Sequence, residues 1–147
     1  MPWRMESTHE VSAPPDAVYR LYTDPTTWGR WAHHTRSARV DGTLEVGSMV
    51  DVTDGFGHHW HVRIERLERD QHMTCVNRDM GFVITSTYDV TPTADGSRIH
   101  HVIELGGPLE ILYRPLQPVY GRLLRKETER LATLAAVTNP EAPPQPS

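Results

Sequence analysis

Residues 11–31 of the chain, VSAPPDAVYRLYTDPTTWGRW, contain the pattern that decides the fold. The segment before them, residues 3–11, has extended character and predicts a strand. Pro14 biases the residue before it away from helix, and Pro15 is favoured at the first position of a helix. A strand is therefore expected to end here and a short helix to follow over residues 16–22.

A second short helix is expected directly afterwards. Asp24 is a good N-cap and Pro25 a good first helical residue, which predicts a helix over residues 26–33. This helix carries Trp28 and Trp31.

The middle of the chain has the alternation of apolar and polar residues that is typical of strands. Turn signals such as Asp41-Gly42, Asp54-Gly55 and residues 93–96 separate the alternating segments. Strands are predicted over residues 36–40, 49–53, 58–67, 72–78, 82–90 and 98–105.

The last part of the chain is predicted to be helical. Residues 109–114 predict a short helix, and residues 119–137 place their apolar residues on one stripe at a helical period. Residues 139–147 contain four prolines and no large apolar residue, so we expect a disordered tail after a domain over residues 1–138.

Composition limits the class of protein. The chain has 147 residues, with 37% hydrophobic residues, 23% charged residues and a formal net charge of -4. These values exclude a disordered, collagen-like or disulfide-rich chain and disfavour a nucleic-acid partner bound through bulk charge. The single cysteine and the lack of a long apolar run or a signal-type N-terminus predict a cytoplasmic protein without stable membrane insertion.

The order of elements predicts an α+β architecture. Consecutive strands joined by turns form an antiparallel sheet, and the long last helix covers its apolar face. Because such a sheet curls around the helix, a cavity is expected between them.

This order and these residues resemble the START-like (SRPBCC) superfamily, in its polyketide cyclase/dehydrase-like branch. The resemblance rests on residues 11–31, Gly47-Ser48 before a strand, the hairpin from Tyr88 to Gly96 and the long C-terminal helix. It implies the helix-grip fold, a curled antiparallel sheet of about seven strands with two short helices and a long C-terminal helix. It also implies a hydrophobic cavity that accepts a small lipophilic or aromatic molecule, no cofactor, and in some members a homodimer.

The strand faces suggest which side chains line this cavity. If Val62 and Ile64 face the helix, Trp60 and His58 do so too, and the same alternation turns Ser86, Tyr88 and His101 inward. A mostly apolar pocket with a few polar groups is the usual form of a ligand site. The predicted ligand-binding residues are Trp28, His58, Trp60, Phe82, Ile84, Ser86, Ile103, Tyr113, Tyr120 and Leu124.

Two of the inward residues are candidates for catalysis. His101 can act as a general acid or base near neutral pH, and Tyr88 can donate a hydrogen bond to an enolate oxygen. The alternative is a purely structural role, in which His101 is a core histidine with a satisfied hydrogen bond and the tyrosines contribute packing contacts. Glu127 falls on the buried stripe of the last helix, where Arg63 or Arg78 is a possible partner.

The nine histidines also raise the question of a metal. His59 and His61 share a strand face and could chelate an ion together with Asp51 or His72. This face is expected to point to solvent and no zinc signature is present, so no metal site is predicted.

The sequence leaves three functional hypotheses open, the last of which is an interaction protein of a membrane-linked complex that presents a lipid or quinone to partners. The first is a polyketide cyclase/dehydrase-type protein that folds a lipophilic substrate in the cavity and assists aldol cyclisation or dehydration. The second is a non-catalytic carrier, sequestering or sensing module for a hydrophobic small molecule or lipid.

Overall fold

The computed structural model describes residues 3–32, 35–79, 81–108 and 110–138, apart from the side chains of Trp3, Asp79, Glu110, Tyr113 and Thr138. The predicted tail over residues 139–147 lies outside the described residues. The described residues form seven strands: β1 (Trp3–Val11), β2 (Thr35–Arg39), β3 (Met49–Asp54), β4 (His59–Glu68), β5 (His72–Asp79), β6 (Phe82–Thr93) and β7 (Gly96–Gly106).

The strands form one antiparallel sheet in the order β1-β7-β6-β5-β4-β3-β2. From β2 to β7, each strand pairs with its neighbour in sequence, and β1 joins the far edge beside β7. Register shifts between Thr35 and Ser37 and between Ile64 and Arg66 mark irregularities that bend a sheet. The predicted α+β helix-grip fold with about seven strands is confirmed.

The corner after β1 forms as its prolines predict. Helix α1 (Pro15–Thr23) begins with Pro15 in its first turn, after Pro14 in an extended conformation. The second short helix is divided: a 3-10 turn (Pro25–Thr27) precedes α2 (Trp28–Trp31).

The side chain of Asp24 lies at the start of this segment. It accepts hydrogen bonds from the backbone N–H of Thr26 at 3.1 Å and from the Thr26 hydroxyl at 2.6 Å, which caps the 3-10 turn. Ala32 then returns to an extended conformation and ends α2. The end of the predicted helix, at His33, and the neighbouring His34 lie outside the described residues.

The last helix is the longest element. A 3-10 segment (Glu110–Leu116) replaces the predicted short helix over residues 109–114, and α3 (Gln117–Thr138) follows it. At 1.5 Å per residue this helix is about 33 Å long. It packs across β1 and against α1 and α2, so it covers the sheet as predicted.

Two apolar clusters form between the sheet and the helices. The larger one includes Val18, Trp31 and Leu131, and the smaller one contains Met5, Ile103, Leu105 and Leu124. Phe82, Ile84 and Tyr120 pack against the smaller cluster and remain partly exposed. Side chains from both clusters border a space that neither cluster fills, which is the cavity described below.

A close backbone contact holds the β5–β6 turn against the end of β7. Gly107 has a φ of 98°, and a Cβ atom there would lie 2.5 Å from the carbonyl oxygen of Gly81. Glycine fits this position for both reasons. Within the described residues, no helix combines the length and the hydropathy that crossing a bilayer requires.

Candidate functional site

The cavity between the sheet and α3 has a volume of about 390 Å³. Eight of the residues predicted from the strand faces and helices line it: Trp28, Trp60, Phe82, Ile84, Ser86, Tyr88, Ile103 and Tyr120. The other lining residues are not among the predicted ligand-binding residues: Met5, Trp31, Ala32, Thr35, Val52, Asp54, Phe56, Val62, Cys75, Asn77, Leu105 and Glu127.

Trp60 is held on the cavity wall by the turn between β3 and β4. Its indole Nε1 donates to the Asp54 carboxylate at 2.9 Å. This carboxylate also accepts hydrogen bonds from the backbone N–H groups of Phe56 at 2.8 Å and His58 at 2.9 Å. The hydrogen bond from Trp60 is the largest of the effects that lower the pKa of Asp54. The Asp54-Gly55 turn signal marks this position in the sequence, but not its contact with Trp60.

His58 lies in this turn, outside the cavity wall. It is exposed, and its ring packs edge-on against Trp60 with 4.6 Å between ring centroids. Because β4 begins at His59, the alternation that brings Trp60 inward does not extend back to His58. Phe56, in the same turn, lines the cavity while 88% exposed, which places it at the rim.

Two other predicted ligand-binding residues differ in their placement. Leu124 is fully buried in the smaller apolar cluster and is not among the residues that line the cavity. The side chain of Tyr113 lies outside the described residues.

Tyr88 presents a phenol to the cavity. Its ring packs edge-on against Trp31, with centroids 5.6 Å apart, and against His101, with centroids 4.7 Å apart. Burial, and next the charge of Glu127, raise the pKa of Tyr88 well above its usual value. Its side chain is hydrogen-bonded to that of Ser86, and the phenol stays protonated and able to donate.

His101 is fully buried and does not belong to the lining. Its Nε2 lies 2.9 Å from the hydroxyl of Tyr22, and its Nδ1 lies 3.1 Å from Oε1 of Glu127. These three residues, which we call the Tyr-His-Glu network, join α1, β7 and α3. Its histidine is predicted to face the cavity, but the helices α1 and α3 cover that part of β7.

Glu127 connects this network to the cavity. It is 1% exposed and belongs to the lining. The suggestion that Arg63 or Arg78 pairs with it is wrong, since both arginines lie near Glu65, at 3.9 and 3.8 Å. The helical period of the apolar residues can show that Glu127 is buried. It cannot show that its partner is His101, because the position of β7 relative to α3 depends on the whole fold.

Two further polar residues lie in the lining. The thiol of Cys75 is buried and burial raises its pKa, so it is not the thiolate that a nucleophilic cysteine requires. Asn77 carries a buried side-chain oxygen without a hydrogen-bond partner among the described residues.

The histidines on the outer face of the sheet have local partners. His61 Nδ1 lies 2.7 Å from Oδ1 of Asp51, and His59 Nδ1 lies 3.2 Å from the Thr53 hydroxyl. His72 pairs with Asp89 at 2.6 Å, away from that pair of histidines. Among the described residues, no group of three His, Cys, Asp or Glu side chains is placed to hold a metal ion.

Comparison with known proteins agrees with this architecture. The family model described as polyketide cyclase / dehydrase and lipid transport matches residues 2–136. The chain belongs to this family. A search of curated proteins finds no match.

Solved structures share the fold of this polyketide cyclase / dehydrase family member at low sequence identity. A protein from Mesorhizobium loti is 19% identical with a TM-score of 0.72, over 93% of this chain and 99% of that one. A protein from Thermus thermophilus is 16% identical with a TM-score of 0.74, over 92% and 98% of the two chains.

A third structure is a di-domain ARO/CYC protein, StfQ, from the steffimycin biosynthetic pathway. It is 14% identical with a TM-score of 0.72, and the match covers 92% of this chain and 51% of StfQ. This chain therefore spans about half of that protein.

Proposed function

We propose that the cavity binds a small lipophilic or aromatic molecule of polyketide type. The observation that carries this proposal is the cavity itself, about 390 Å³ and lined on several sides by aromatic rings. Its volume falls within the range of roughly 300–1,000 Å³ that ligand pockets occupy. The lining rings are those of Trp28, Trp31, Phe56, Trp60, Phe82, Tyr88 and Tyr120.

We further propose that the protein assists an aldol cyclisation or a dehydration of this molecule. A cavity of this shape holds a flexible chain in a folded conformation, which brings reacting carbons together. Tyr88 supplies a hydrogen-bond donor to the oxygen of an enolate. The family description and the naming of StfQ as an ARO/CYC protein support this reaction class.

A non-catalytic carrier is the second candidate. The family description includes lipid transport, and the lining contains few ionisable side chains. A carrier retains its ligand unchanged, whereas a dehydratase releases a product that has lost water and an aldol cyclisation releases an isomer of the same mass. The mass of the recovered ligand therefore detects dehydration, and its NMR spectrum distinguishes a cyclised isomer from an unchanged ligand.

Two measurements on the full chain test the binding proposal. Titration with the apolar dye N-phenyl-1-naphthylamine is expected to give saturable fluorescence enhancement with one site per chain. Native mass spectrometry of the purified protein is expected to show a bound small molecule that is released on denaturation. Absence of saturable dye binding by the folded protein contradicts the proposal.

A further inference from the structure

Glu127 is a carboxylate at the edge of an apolar cavity. It is 1% exposed, and carboxylates that are so deeply buried are rare unless they are paired. Its partner is Nδ1 of His101 at 3.1 Å. Glu127 also belongs to the cavity lining, which His101 does not. Of these two residues, the carboxylate is therefore the one that a bound molecule touches.

The direction of the hydrogen bonds in the Tyr-His-Glu network follows from Tyr22. Its hydroxyl lies 2.9 Å from Nε2 of His101, and the other acceptor within its reach, the backbone oxygen of Asp89, is at the longer distance of 3.5 Å, where a hydroxyl hydrogen bond is weak. Burial raises the pKa of Tyr22 well above its usual value, so the phenol keeps its proton. Tyr22 therefore donates to Nε2.

This donation determines the tautomer of His101. A neutral imidazole has one donor and one acceptor nitrogen, so an accepting Nε2 leaves the proton on Nδ1. Nδ1 then donates to Glu127 and favours the ionised carboxylate, which accepts it. Because Tyr22, His101 and Glu127 come from α1, β7 and α3, the packing of three elements holds the geometry in place.

Among the described residues, other titratable groups near Glu127 lie on the sheet and on α1. Burial, and after it the charge of Glu127, raises the pKa of Tyr88 on β6, of Cys75 on β5 and of Tyr22 on α1. Within the described part of the chain, the protein group that donates to this carboxylate in the network is His101.

We propose that Glu127 is the catalytic base of the cavity, and that His101 and Tyr22 are positioning residues that act through it. The inference rests on the proposed function. The carboxylate removes a proton from the carbon beside a ligand carbonyl, and the C–H electron pair forms the enolate. Tyr88 donates a hydrogen bond to the enolate oxygen. In an aldol step the enolate carbon bonds to a second carbonyl carbon, and the resulting alkoxide takes the proton back from Glu127.

Proton removal can be measured without the natural substrate. The ketone 1-tetralone has exchangeable protons beside its carbonyl, and proton NMR in deuterium oxide follows their replacement. We expect the wild-type chain to accelerate this exchange and Glu127→Gln to lose at least about 100-fold of the acceleration, the lower end of what a general base contributes. Displacement of N-phenyl-1-naphthylamine by 1-tetralone is expected to persist in the variant.

A matched control and a second variant separate catalysis from folding. Glu129 is an exposed carboxylate on the same helix, and Glu129→Gln is expected to keep the wild-type rate. Tyr22→Phe frees Nε2 from its donor and allows Nδ1 to accept from a protonated Glu127. The exchange rate of this variant is therefore expected to increase with pH over a higher pH range than the exchange rate of the wild type does. 1-Tetralone is still expected to displace the dye.

Two results overturn the inference and leave ligand binding intact. One is a wild-type chain from which 1-tetralone displaces the dye but whose exchange rate equals that of buffer. The other is a folded Glu127→Gln variant with the wild-type rate. A chain that fails to bind the dye at all instead contradicts the proposed function.

Discussion

Nδ1 of His101 lies 3.1 Å from Oε1 of Glu127, a contact between a strand and a helix whose residues are 26 positions apart in the chain. Both side chains are buried, at 0% and 1% exposure. Tyr22 completes the arrangement from a third element at 2.9 Å. A polar network thus joins α1, α3 and the sheet beside the cavity.

Removing one member of this network is expected to destabilise the protein. His101→Leu leaves a buried carboxylate without its imidazole partner, and we expect the free energy of unfolding to fall by about 3 kcal/mol. Adding Glu127→Leu removes the buried charge as well, so the double variant is expected to be more stable than His101→Leu alone. Urea denaturation of the wild type, the two single variants and the double variant measures this. A double variant that loses the sum of the two single losses contradicts the expectation.

The turn that holds Trp60 is expected to make stability depend on pH. The pKa of Asp54 in the folded protein is below its ordinary value of 3.8, so its ionised form favours folding above that value. The contribution is lost as the pH falls through the folded pKa. We expect Asp54→Asn to be less stable than the wild type at neutral pH and equally stable in strong acid. Urea denaturation at both pH values checks this, and a difference independent of pH argues against it.

Filling the cavity is expected to abolish ligand binding without unfolding the protein. Ile84 lines the cavity, and Ile84→Trp replaces its aliphatic side chain with an indole ring that extends into the open space. Overpacking a closed core costs about 1–3 kcal/mol, and we expect a smaller loss here because the space is already present. Titration with N-phenyl-1-naphthylamine is expected to show at least about tenfold weaker binding.

The control for this variant is Val137→Trp, at a position that is 75% exposed. It adds the same ring away from the cavity and is expected to bind the dye as the wild type does. Equal dye binding by both tryptophan variants indicates that the dye occupies another site.

Tyr88→Phe is expected to separate binding from chemistry. The substitution keeps the ring that packs against Trp31 and His101 but removes the donor to an enolate oxygen. Loss of a single donor of this kind typically reduces rates by about 100- to 1,000-fold. We expect a loss of this order in 1-tetralone exchange with unchanged dye affinity. Unchanged exchange removes Tyr88 from the mechanism.

Much of the fold could be predicted because its signals are local. Pro15 and Asp24 act on the residues next to them, and the alternation along β4 and β6 depends only on the period of a strand. The division of the second short helix was missed because propensity does not distinguish a 3-10 turn from the first turn of an α-helix.

The site could be predicted only in part. The alternation along the strands correctly places Trp60, Ser86 and Tyr88 at the cavity. It places His101 on the same face of the sheet, but it does not show that other side chains separate this histidine from the cavity. Depth depends on where α1 and α3 cross the sheet, and Tyr22 from α1 covers this histidine. For the same reason the partner of Glu127 was not found, since no local pattern relates a helix position to a strand position.

A crystal structure of the protein grown with 1-naphthol would show whether the cavity is the binding site. We expect density for the ligand inside the cavity, between the rings of Trp60 and Tyr120 and within reach of Tyr88 and Glu127. Density for the ligand only on the outer surface, with the cavity closed by side chains, would contradict it.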